Sequence, residues 1–340
     1  MKISIYYDRD KLEFNPNTEK NVGVSGTHST IINLAKSLSD NGHDVTVYVR
    51  CNFPNIYDGV KYYQYYDYQY DNEDVVIGFE SFPTVLRTGH GNTKLINYST
   101  NVSIPDVEKY PEVDYLIVMS GWHRDRYASE LSPELVKKMV VVEPGVIADF
   151  FNKDWQKWPL SVTYAGHPSK GGMQALIQVA KRLKPINKDI SIHAYGGGEM
   201  WGWDDEQYRP LYDDMIRARI LYHGQCGIKR MVKQLNGSQI FIYPVGKHHQ
   251  ETFCLAVLQA MASGCVVIAS DNGNIRNLVK DAGFTIPGII TDYKWAIEAT
   301  DKILELFSNP TLMEELSTKA REYARIYSWQ ETAKKVENLL

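Results

Sequence analysis

Residues 251–279 read ETFCLAVLQAMASGCVVIASDNGNIRNLV, and this stretch joins a buried helix to a buried strand. Residues 253–262 are apolar almost all the way round, which is typical of a helix inside a protein rather than on its surface. Gly264 ends that helix, and the β-branched run Val266–Ala269 predicts a core strand directly after it. A helix joined in this way to a buried strand is the repeating unit of an α/β protein with a parallel sheet.

Strand and helix patterns alternate in the same way along the rest of the chain. Segments such as Thr30–Ser39 and Gln174–Leu183 carry apolar residues at three- and four-residue spacing, which predicts helices between short β-branched strands. The alternation favours parallel sheets that are covered by helices on both faces. The predicted strands are Ile3–Tyr7, Val45–Val49, Val75–Phe79, Leu95–Tyr98, Tyr115–Met119, Val162–Ala165, Ile190–Tyr195, Ile220–His223, Ile240–Tyr243 and Val266–Ala269.

The length of the chain indicates more than one domain. It has 340 residues, whereas an ordinary domain holds about 100–200. Strand signals stop at Asp154–Pro159 (DWQKWP), and a fresh strand begins just after that segment. We therefore expect a Rossmann-like, doubly wound domain over residues 1–155 and a second one over residues 156–327, each with a ligand crevice at one sheet edge.

Composition excludes several classes of function. Lysine and arginine number 37 against 41 aspartates and glutamates, so the net charge is −4, and the basic surplus that is typical of nucleic-acid-binding proteins is missing. We expect no nucleic-acid partner. The four cysteines form no Cys-x-x-Cys pair, so neither a zinc ribbon nor a disulfide scaffold is indicated. Reduced thiols in the cytoplasm are the simplest interpretation.

Membrane and metal signals are weak. The N-terminus, MKISIYYDRD, has the pattern of a strand rather than of a signal peptide. No apolar run reaches the roughly 18 residues that a transmembrane helix needs, which leaves only a peripheral membrane contact open. His248 and His249 are adjacent and point different ways in any regular element, so we expect no metal site there.

The stretch that starts at Glu251 also carries chemistry. Unpaired amides in the first turn of its helix, at the positive end of the helix dipole, suit a phosphate group. Glu251 adds a carboxylate beside that helix end, and Gln259 adds a deeper polar group within an apolar helix. A nucleoside diphosphate that bears a sugar would use all three features.

This stretch resembles the signature of the retaining glycosyltransferases of family 4, which have the GT-B fold of two facing Rossmann-like domains. Glu251 stands at the family's first glutamate, beside the donor sugar, and Ala260–Gly264 reads AMASG as the family pattern does. Cys254 replaces the usual glycine, and Gln259 replaces the second glutamate, which holds the ribose hydroxyls. A glutamine keeps a hydrogen bond but loses its charge, so we expect weaker or altered donor binding. The resemblance implies that Glu251 is catalytic, and that donor contacts lie at Thr252, Phe253, Cys254, Leu255 and Gln259.

A second segment, YAGHPSKGGMQALIQVAKRL over residues 164–183, is similar to the family's strand–glycine–arginine–loop–lysine element. The resemblance makes Gly166 a donor contact and Lys170 a catalytic cation that neutralises the leaving diphosphate. His167 stands where the family has arginine. A histidine adds positive charge only when protonated, so a catalytic His167 would make activity fall as the pH rises through its pKa.

Two further segments complete the expected donor site. Residues 21–48 resemble the family's N-terminal glycine loop, helix and G-H-x-V-x-V strand, which implies that Ser25 and Gly26 approach the donor phosphates. Gly227 and Ile228 lie in GQCGI, where the family's backbone lines the nucleotide base. The last helix, residues 328–340, is expected to cross back onto the first domain as in GT-B relatives.

One family feature is absent. Many members carry a histidine after the strand that corresponds to Lys94–Tyr98, near the anomeric centre of the donor. Ser99, Thr100 and Asn101 follow that strand here, and they are candidate contacts to the acceptor or the donor sugar. His28 and His123 are the other histidines near loop or strand-end positions, although a surface or capping role suits each better than catalysis.

The sequence therefore predicts a retaining glycosyltransferase of hexosyl type. Its substrates would be a nucleotide-sugar donor and a glycan or other hydroxyl acceptor, with no metal or other cofactor. Two alternatives stay open: a GT-B enzyme that epimerises a nucleotide sugar, and a non-catalytic nucleotide-sugar binder. A nicotinamide dehydrogenase is disfavoured, because no strand leads into Gly-x-Gly-x-x-Gly at a helix start. The oligomeric state cannot be read from the sequence.

Overall fold

A computed structural model describes residues 1–9, 11–87, 89–105, 113–152, 154–199, 202 and 204–340. The chain divides into two compact units. The first unit comprises residues 1–19, 24–145 and 327–340, and the second comprises residues 20–23 and 146–326.

The first unit is built on an eight-stranded sheet in the order β3-β4-β2-β1-β5-β6-β7-β8. All neighbouring strands run parallel except β3 and β4, which form an antiparallel hairpin at one edge. The central strands are buried on both faces, as their continuous apolar runs predict. Its strands are β1 (Lys2–Tyr6), β2 (Asp44–Val49), β3 (Asn55–Tyr57), β4 (Val60–Gln64), β5 (Val75–Phe79), β6 (Lys94–Tyr98), β7 (Tyr115–Val118) and β8 (Met139–Val141).

The helices of the first unit include the end of the chain. α12 packs against α2, where Glu337 accepts a hydrogen bond of 2.8 Å from Asn41 and lies 3.0 Å from the ring of His43. The contact joins the helix–strand turn before β2 to the last helix. The helices are α1 (Pro16–Asn21), which ends in the second unit, α2 (Gly26–Asp40), α3 (Gly121–Ala128), α4 (Pro133–Lys137) and α12 (Trp329–Glu337).

The second unit is built on a six-stranded parallel sheet in the order β11-β10-β9-β12-β13-β14. Counted from the first strand of the unit, this is the 3-2-1-4-5-6 order of a dinucleotide-binding domain. The strands are β9 (Ser161–Ala165), β10 (Ser191–Tyr195), β11 (Leu221–Tyr222), β12 (Ile240–Tyr243), β13 (Val266–Ser270) and β14 (Gly283–Ile286). The helices are α5 (Gly172–Ile186), α6 (Arg209–Arg217), α7 (Ile228–Gly237), α8 (Leu255–Ala262), α9 (Ile275–Val279), α10 (Tyr293–Ser308) and α11 (Pro310–Ala324).

The sequence locates the strands well and the division of the chain less closely. Every predicted strand is present, shifted by a residue or two at most at either end, and the apolar helix before Gly264 is α8. The units divide between Gly145 and Val146, whereas the sequence suggested residue 155. The reason is a short 3-10 turn, Ala148–Phe151, which packs against α7 and α8 and buries Phe150 in the second unit.

None of the helices in the described part of the chain is both long and apolar enough to cross a membrane.

Candidate active site

The site lies at the carboxyl edge of the second sheet, where β9 and β12 are neighbours. Connections leave these two strands towards opposite sides of the sheet, so their following loops open a crevice at the topological switch point. The loop after β9 carries Gly166, His167 and Lys170, and the loop after β12 carries Glu251. The backbone N–H of Gly246 donates to the carbonyl of Lys170 at 2.8 Å and joins the two loops directly.

An ion pair occupies this crevice. Nζ of Lys170 lies 2.6 Å from Oε1 of Glu251, and the two side chains are 29% and 12% exposed. The hydroxyl of Tyr243, the last residue of β12, donates to the same Oε1 at 2.8 Å and lies 3.3 Å from the lysine Nζ. These three side chains come from separate segments of the chain and form a closed triangle at one point of the sheet edge.

Burial and charge act against each other on Lys170. Burial alone would lower its pKa, but the charge of Glu251 and the hydrogen bond to it outweigh that effect, so the pKa of Lys170 is raised. Burial, reinforced by the negative charge of Glu251, raises the pKa of Tyr243 well above its usual value. The lysine is therefore a fixed cation at neutral pH, and the tyrosine stays a neutral hydrogen-bond donor.

Glycines let the backbone approach closely around the pair. Gly171 has a φ of 78°, a left-handed conformation, and starts α5. A Cβ on Gly172 would lie 2.3 Å from the carbonyl oxygen of Pro244, so only glycine lets α5 begin against the loop after β12. Gly273 has a φ of 60°, and a Cβ there would lie 2.2 Å from the carbonyl oxygen of Glu251. The positions of Lys170 and Glu251 thus depend on glycines that carry no chemistry of their own.

His167 is neutral in this structure. Its Nδ1 accepts from the backbone N–H of Ser169 at 3.1 Å and lies 2.6 Å from the hydroxyl of the same serine. Burial, together with the charge of Lys170, lowers the pKa of His167 to about 4. With a pKa in that range His167 carries no positive charge at neutral pH, so the condition under which it would neutralise a phosphate is not met there.

The start of α8 carries the next group of predicted donor contacts. Thr252, Phe253 and Cys254 are buried, and Leu255 is half-buried at the first helical position. Cys254 has a φ of 81°, a conformation that costs a residue with a side chain about 1–2 kcal/mol and glycine almost nothing. No side chain caps this helix end, so its first amides remain available to an anion.

Gln259 is half-buried in the middle of α8. Its carboxamide forms no hydrogen bond with any residue that the structure describes. An amide in that state remains able to bind a ligand hydroxyl.

Gly227 and Ile228 lie at the start of α7, where Gly227 is the N-cap residue and supplies no capping side chain. Residues 20–23 belong to the same unit and pack against this turn: the amide of Gln225 donates to the carbonyl of Gly23 at 3.3 Å. A Cβ on Gly227 would lie 2.3 Å from the carbonyl oxygen of Lys20, so the turn is closely covered.

Sequence and fold comparisons identify the family of the chain. The profile of one family, Glycosyl transferases group 1, matches residues 150–325, which is more than half of the chain. The chain belongs to this family. The resemblance that the motifs carry is thereby confirmed, and so is the α/β fold class of two doubly wound parallel-sheet domains of GT-B type.

The relatives are distant in sequence. A D-inositol 3-phosphate glycosyltransferase from Paenarthrobacter aurescens (strain TC1) is 23% identical over 230 residues, which are 64% of this chain and 55% of that protein. The chain thus spans about half the length of that relative. A lipopolysaccharide 1,2-N-acetylglucosaminetransferase from Salmonella typhimurium (strain LT2) is 23% identical over 273 residues, or 74% of this chain and 68% of that protein.

A solved structure extends the likeness over nearly the whole fold. The sucrose-phosphate synthase of Thermosynechococcus elongatus has a TM-score of 0.80 and 14% identity, over 99% of this chain and 98% of that one. At this identity the likeness concerns the fold alone.

The remaining predicted contacts lie in the first unit of this glycosyl transferases group 1 protein. Ser25 is the N-cap residue of α2, and its hydroxyl accepts from the backbone N–H of His28 at 3.3 Å, while Gly26 is exposed. Ser99 is fully buried, Thr100 is nearly so, and Asn101 is exposed just after β6. His28 and His123 are both buried, and His28 stacks on the ring of Phe14. His28 and His123 are therefore parts of the interior of this unit.

Two residues at the carboxyl edges of the two sheets, Tyr243 and Glu80, were not among the predicted contacts. Tyr243 ends a predicted strand, and a polar residue at the carboxyl end of a parallel strand is the signal that could have marked it. Glu80 follows β5 in the same manner and gave the same signal.

In the described ranges, histidine, cysteine, aspartate and glutamate form no group of three or more that could hold a metal ion.

Proposed function

We propose that this protein transfers a hexosyl residue from a nucleotide diphosphate sugar to an acceptor hydroxyl, with retention of configuration at the anomeric carbon. The observation that carries the proposal is the triangle of Lys170, Glu251 and Tyr243 at the switch point of the second sheet. Membership of the Glycosyl transferases group 1 family supports the same reaction class.

Lys170 is the cation that this reaction needs. A diphosphate gains negative charge as the glycosidic bond breaks, so a cation fixed at that point stabilises the transition state more than the ground state. The ion pair with Glu251 keeps Lys170 charged and oriented before the donor binds. The uncapped start of α8, where Thr252, Phe253, Cys254 and Leu255 lie, adds backbone amides for the same phosphates.

Glu251 binds the donor sugar through Oε2, the carboxylate oxygen that takes no part in the ion pair. Both hydrogen bonds to its carboxylate go to Oε1, and no described residue donates to Oε2. Oε2 therefore suits a sugar hydroxyl. Because Glu251 is paired with a cation, it is a poor nucleophile, and the acceptor proton passes to a leaving phosphate oxygen on the same face of the sugar. That route accounts for retention with a single carboxylate, whereas a glycosidase uses two.

The nucleotide occupies the remaining donor contacts. Gln259 binds the ribose hydroxyls through its carboxamide, and the backbone at Gly166, Gly227 and Ile228 lines the nucleotide, with Ser25 and Gly26 as phosphate contacts. Lysine and helix amides neutralise the diphosphate in this scheme, so we expect turnover to be insensitive to EDTA. His167, being neutral, orders the turn around Lys170.

A donor panel tests the reaction class. The protein is incubated with UDP-, GDP-, ADP- and dTDP-sugars and a set of p-nitrophenyl glycosides as acceptors, and the products are separated by mass and by anomeric NMR signals. Free nucleotide with an α-linked product from an α-linked donor supports retaining transfer. An isomerised nucleotide sugar would support the epimerase alternative, and binding by calorimetry without turnover would support the non-catalytic binder.

Loss of turnover in Glu251→Ala, with an unchanged circular dichroism spectrum, would tie the activity to this crevice. Wild-type turnover in that variant would contradict the assignment. Glu298 provides a matched control, because this glutamate lies on α10, outside the crevice. Glu298→Ala should leave turnover unchanged.

Location and partners extend the same proposal. All four cysteines are free thiols in the structure, which is consistent with a cytoplasmic protein. A glycan is the expected acceptor.

A further inference from the structure

A second carboxylate lies at the carboxyl edge of the first sheet. Glu80 directly follows β5, is 6% exposed, and has a φ of 62°. A residue with a side chain adopts this left-handed conformation at a cost, and such strain persists where surrounding contacts hold it. β5 is the neighbour of β1, and the order of this sheet reverses between these two strands. Glu80 thus lies at the switch point of the first unit, where α/β proteins bind ligands.

The carboxylate of Glu80 accepts hydrogen bonds from all three residues that follow β6. Its Oε1 accepts from the backbone N–H of Thr100 at 2.5 Å, from the hydroxyl of Thr100 at 2.9 Å and from the backbone N–H of Asn101 at 3.0 Å. Its Oε2 accepts from the hydroxyl of Ser99 at 3.2 Å. Among the described residues no cation pairs with Glu80, so neutral donors alone satisfy it.

Such an arrangement is specific but costly. Burial raises the pKa of Glu80, while the hydrogen bonds from Thr100, Asn101 and Ser99 oppose that shift. A buried carboxylate is tolerated where donors surround it, and each donor is then fixed in turn. The cost is typical of a functional site rather than of a core position, where apolar residues would serve better.

As far as the described residues show, the network leaves one of the three side chains, that of Asn101, without a hydrogen bond. The hydroxyl of Ser99 lies 2.6 Å from that of Tyr127, and the hydroxyl of Thr100 lies 2.9 Å from that of Thr27. Asn101 is held through its backbone, because Glu80 accepts from its N–H and Tyr127 donates to its carbonyl at 2.8 Å. Its side chain is exposed and forms no hydrogen bond with any described residue.

We propose that Glu80 is a positioning residue that fixes Asn101, whose carboxamide binds a hydroxyl of the acceptor at the carboxyl edge of the first sheet. A carboxamide both donates and accepts, which matches a hydroxyl group. Because its backbone is held on both sides, the loop around Asn101 is already ordered before the acceptor binds. The proposal rests on the proposed function, since it assigns the acceptor side of that reaction.

Two reactions, sugar transfer to an acceptor and hydrolysis of the donor, distinguish a failure of this proposal from a failure of the proposed function. Transfer to a p-nitrophenyl glycoside needs the acceptor contact, whereas slow donor hydrolysis needs only the donor site and water. We expect Asn101→Ala and Glu80→Gln each to raise the KM for the acceptor about tenfold, which corresponds to the loss of one hydrogen bond. Donor hydrolysis should fall much less than transfer in both variants, because water needs no contact with Asn101.

A double-mutant cycle tests whether Glu80 acts through Asn101. In the Asn101→Ala background, Glu80→Gln should raise the acceptor KM no further, because the positioned group is already gone. Additive increases, or an equal fall in transfer and hydrolysis, would overturn the proposal while leaving the proposed function intact. The absence of both transfer and hydrolysis in the wild type would instead contradict the proposed function.

Glu73 offers a matched control. It is also a buried carboxylate, 3% exposed, but it lies before β5 at the opposite end of the strand, where it accepts from the hydroxyl of Ser4 at 3.1 Å. Glu73→Gln should lower stability without changing the acceptor KM. An independent readout is amide hydrogen exchange: the N–H groups of Thr100 and Asn101 should exchange slowly in the wild type and faster in Glu80→Gln. Equal exchange in the two proteins would overturn the positioning role even if no p-nitrophenyl glycoside is an acceptor.

Discussion

Each of the two sheets has a carboxylate at its carboxyl edge, and the two carboxylates differ in the groups that hold them. Glu251, at the edge of the second sheet, forms an ion pair with Lys170 and accepts from Tyr243 through the same oxygen. Glu80, at the edge of the first sheet, is held by two backbone N–H groups and two hydroxyls. Glu251 holds the cation of Lys170 in place. Glu80 holds the loop after β6 and pairs with no cation among the described residues.

The difference matches the chemistry of the two proposed ligands. A nucleoside diphosphate is strongly anionic, so its site needs a cation that is charged and in place before binding. A hydroxyl acceptor is neutral, so a cation beside it would add little and would hold water more firmly than the acceptor. A buried carboxylate held by neutral donors orders its loop without a cation. Variants that remove one of these two features test the contrast.

Removing the cation should have the largest effect. Lys170→Ala removes the cation that we propose to neutralise the leaving diphosphate. Among the described residues, it leaves Glu251 with only the hydroxyl of Tyr243 as a hydrogen-bond partner. We expect kcat to fall about 100- to 1000-fold, as for the loss of one preorganised electrostatic group in an active site. Steady-state release of nucleotide measures it.

The control for this variant lies on α5, the helix that follows Lys170. Lys184 is near the end of α5 and donates to the carbonyl of Ile190, outside the crevice. Lys184→Ala should keep kcat within about twofold of the wild type, which is the effect expected of a group outside the site. A near-normal kcat in Lys170→Ala would contradict the proposal that the edge of the second sheet needs a cation, in contrast to the edge of the first sheet.

In the first unit, the expected effect of pH is on the free energy of unfolding. His123 is fully buried beside Tyr127, and burial, with a smaller contribution from the charge of Arg126, lowers its pKa to about 4 from 6.5. Protonation therefore favours the unfolded chain, and the stabilisation present above pH 6.5 is lost as the pH falls towards 4. A shift of this size amounts to about 3 kcal/mol, at 1.36 kcal/mol for each pH unit.

Urea unfolding between pH 4.5 and 7.5 measures this dependence. His123→Asn keeps an acceptor for the backbone N–H of Met119, which now donates to Nδ1 at 3.2 Å, but it removes the titrating ring. The free energy of unfolding of this variant should depend less steeply on pH. His167 and His193, whose pKa values are also lowered to about 4 by burial, contribute to the slope that remains, as do His223 and the buried Glu19 and Glu80. An unchanged slope would contradict a neutral His123, and the exposed His248, changed to Asn, is the control.

A smaller effect is expected when charge is restored at the donor edge. Gln259→Glu places a carboxylate where the family pattern has one, and a charged acceptor makes a hydrogen bond roughly twice as strong as a neutral one. We expect the Kd for the nucleotide to fall about fivefold, or by about 1 kcal/mol. Isothermal titration with UDP and GDP measures it. Gln174→Glu, on the exposed face of α5, is the control, and an unchanged Kd in Gln259→Glu would refute the ribose contact.

The smallest effect concerns His167. Because this ring is neutral above about pH 4, His167→Gln should alter kcat less than about threefold, since it removes hydrogen bonds within the turn and a ring contact with Tyr208 but no charge. The pH–rate profile between pH 6 and 8 should keep its shape. A profile that falls as the pH rises through 6–7 in the wild type, and flattens in His167→Gln, would restore the charged role that the sequence suggested.

Much of the fold follows from local patterns. Period-two and period-3.6 apolar spacing predicts the strands and the helices, because each pattern reports which side of an element is buried. The division between the units was less accurate, since the turn Ala148–Phe151 carries no strand signal and its side is decided by packing on α7 and α8. β8 and β14 are short strands at or near a sheet edge, and their patterns are too brief to predict.

The site divides in the same way. Lys170 and Glu251 could be found from the sequence because each lies in a short segment of strand, loop and helix start that resembles a family motif. Tyr243 and Glu80 carried only the weaker signal of a polar residue at a strand end, because no spacing rule connects them with the groups they contact elsewhere in the chain.

The sequence by itself determined the α/β class, the family and the two segments that carry the cation and the carboxylate of the donor edge. Only the tertiary structure decided that these groups form one ion pair, that His167 is neutral, and that Ser99 and Thr100 are occupied by Glu80 while Asn101 presents its side chain. The physical reason is that charge and hydrogen bonding depend on neighbours in space and on burial. A hydrophobic pattern records which face is buried, but it does not record which polar group lies opposite.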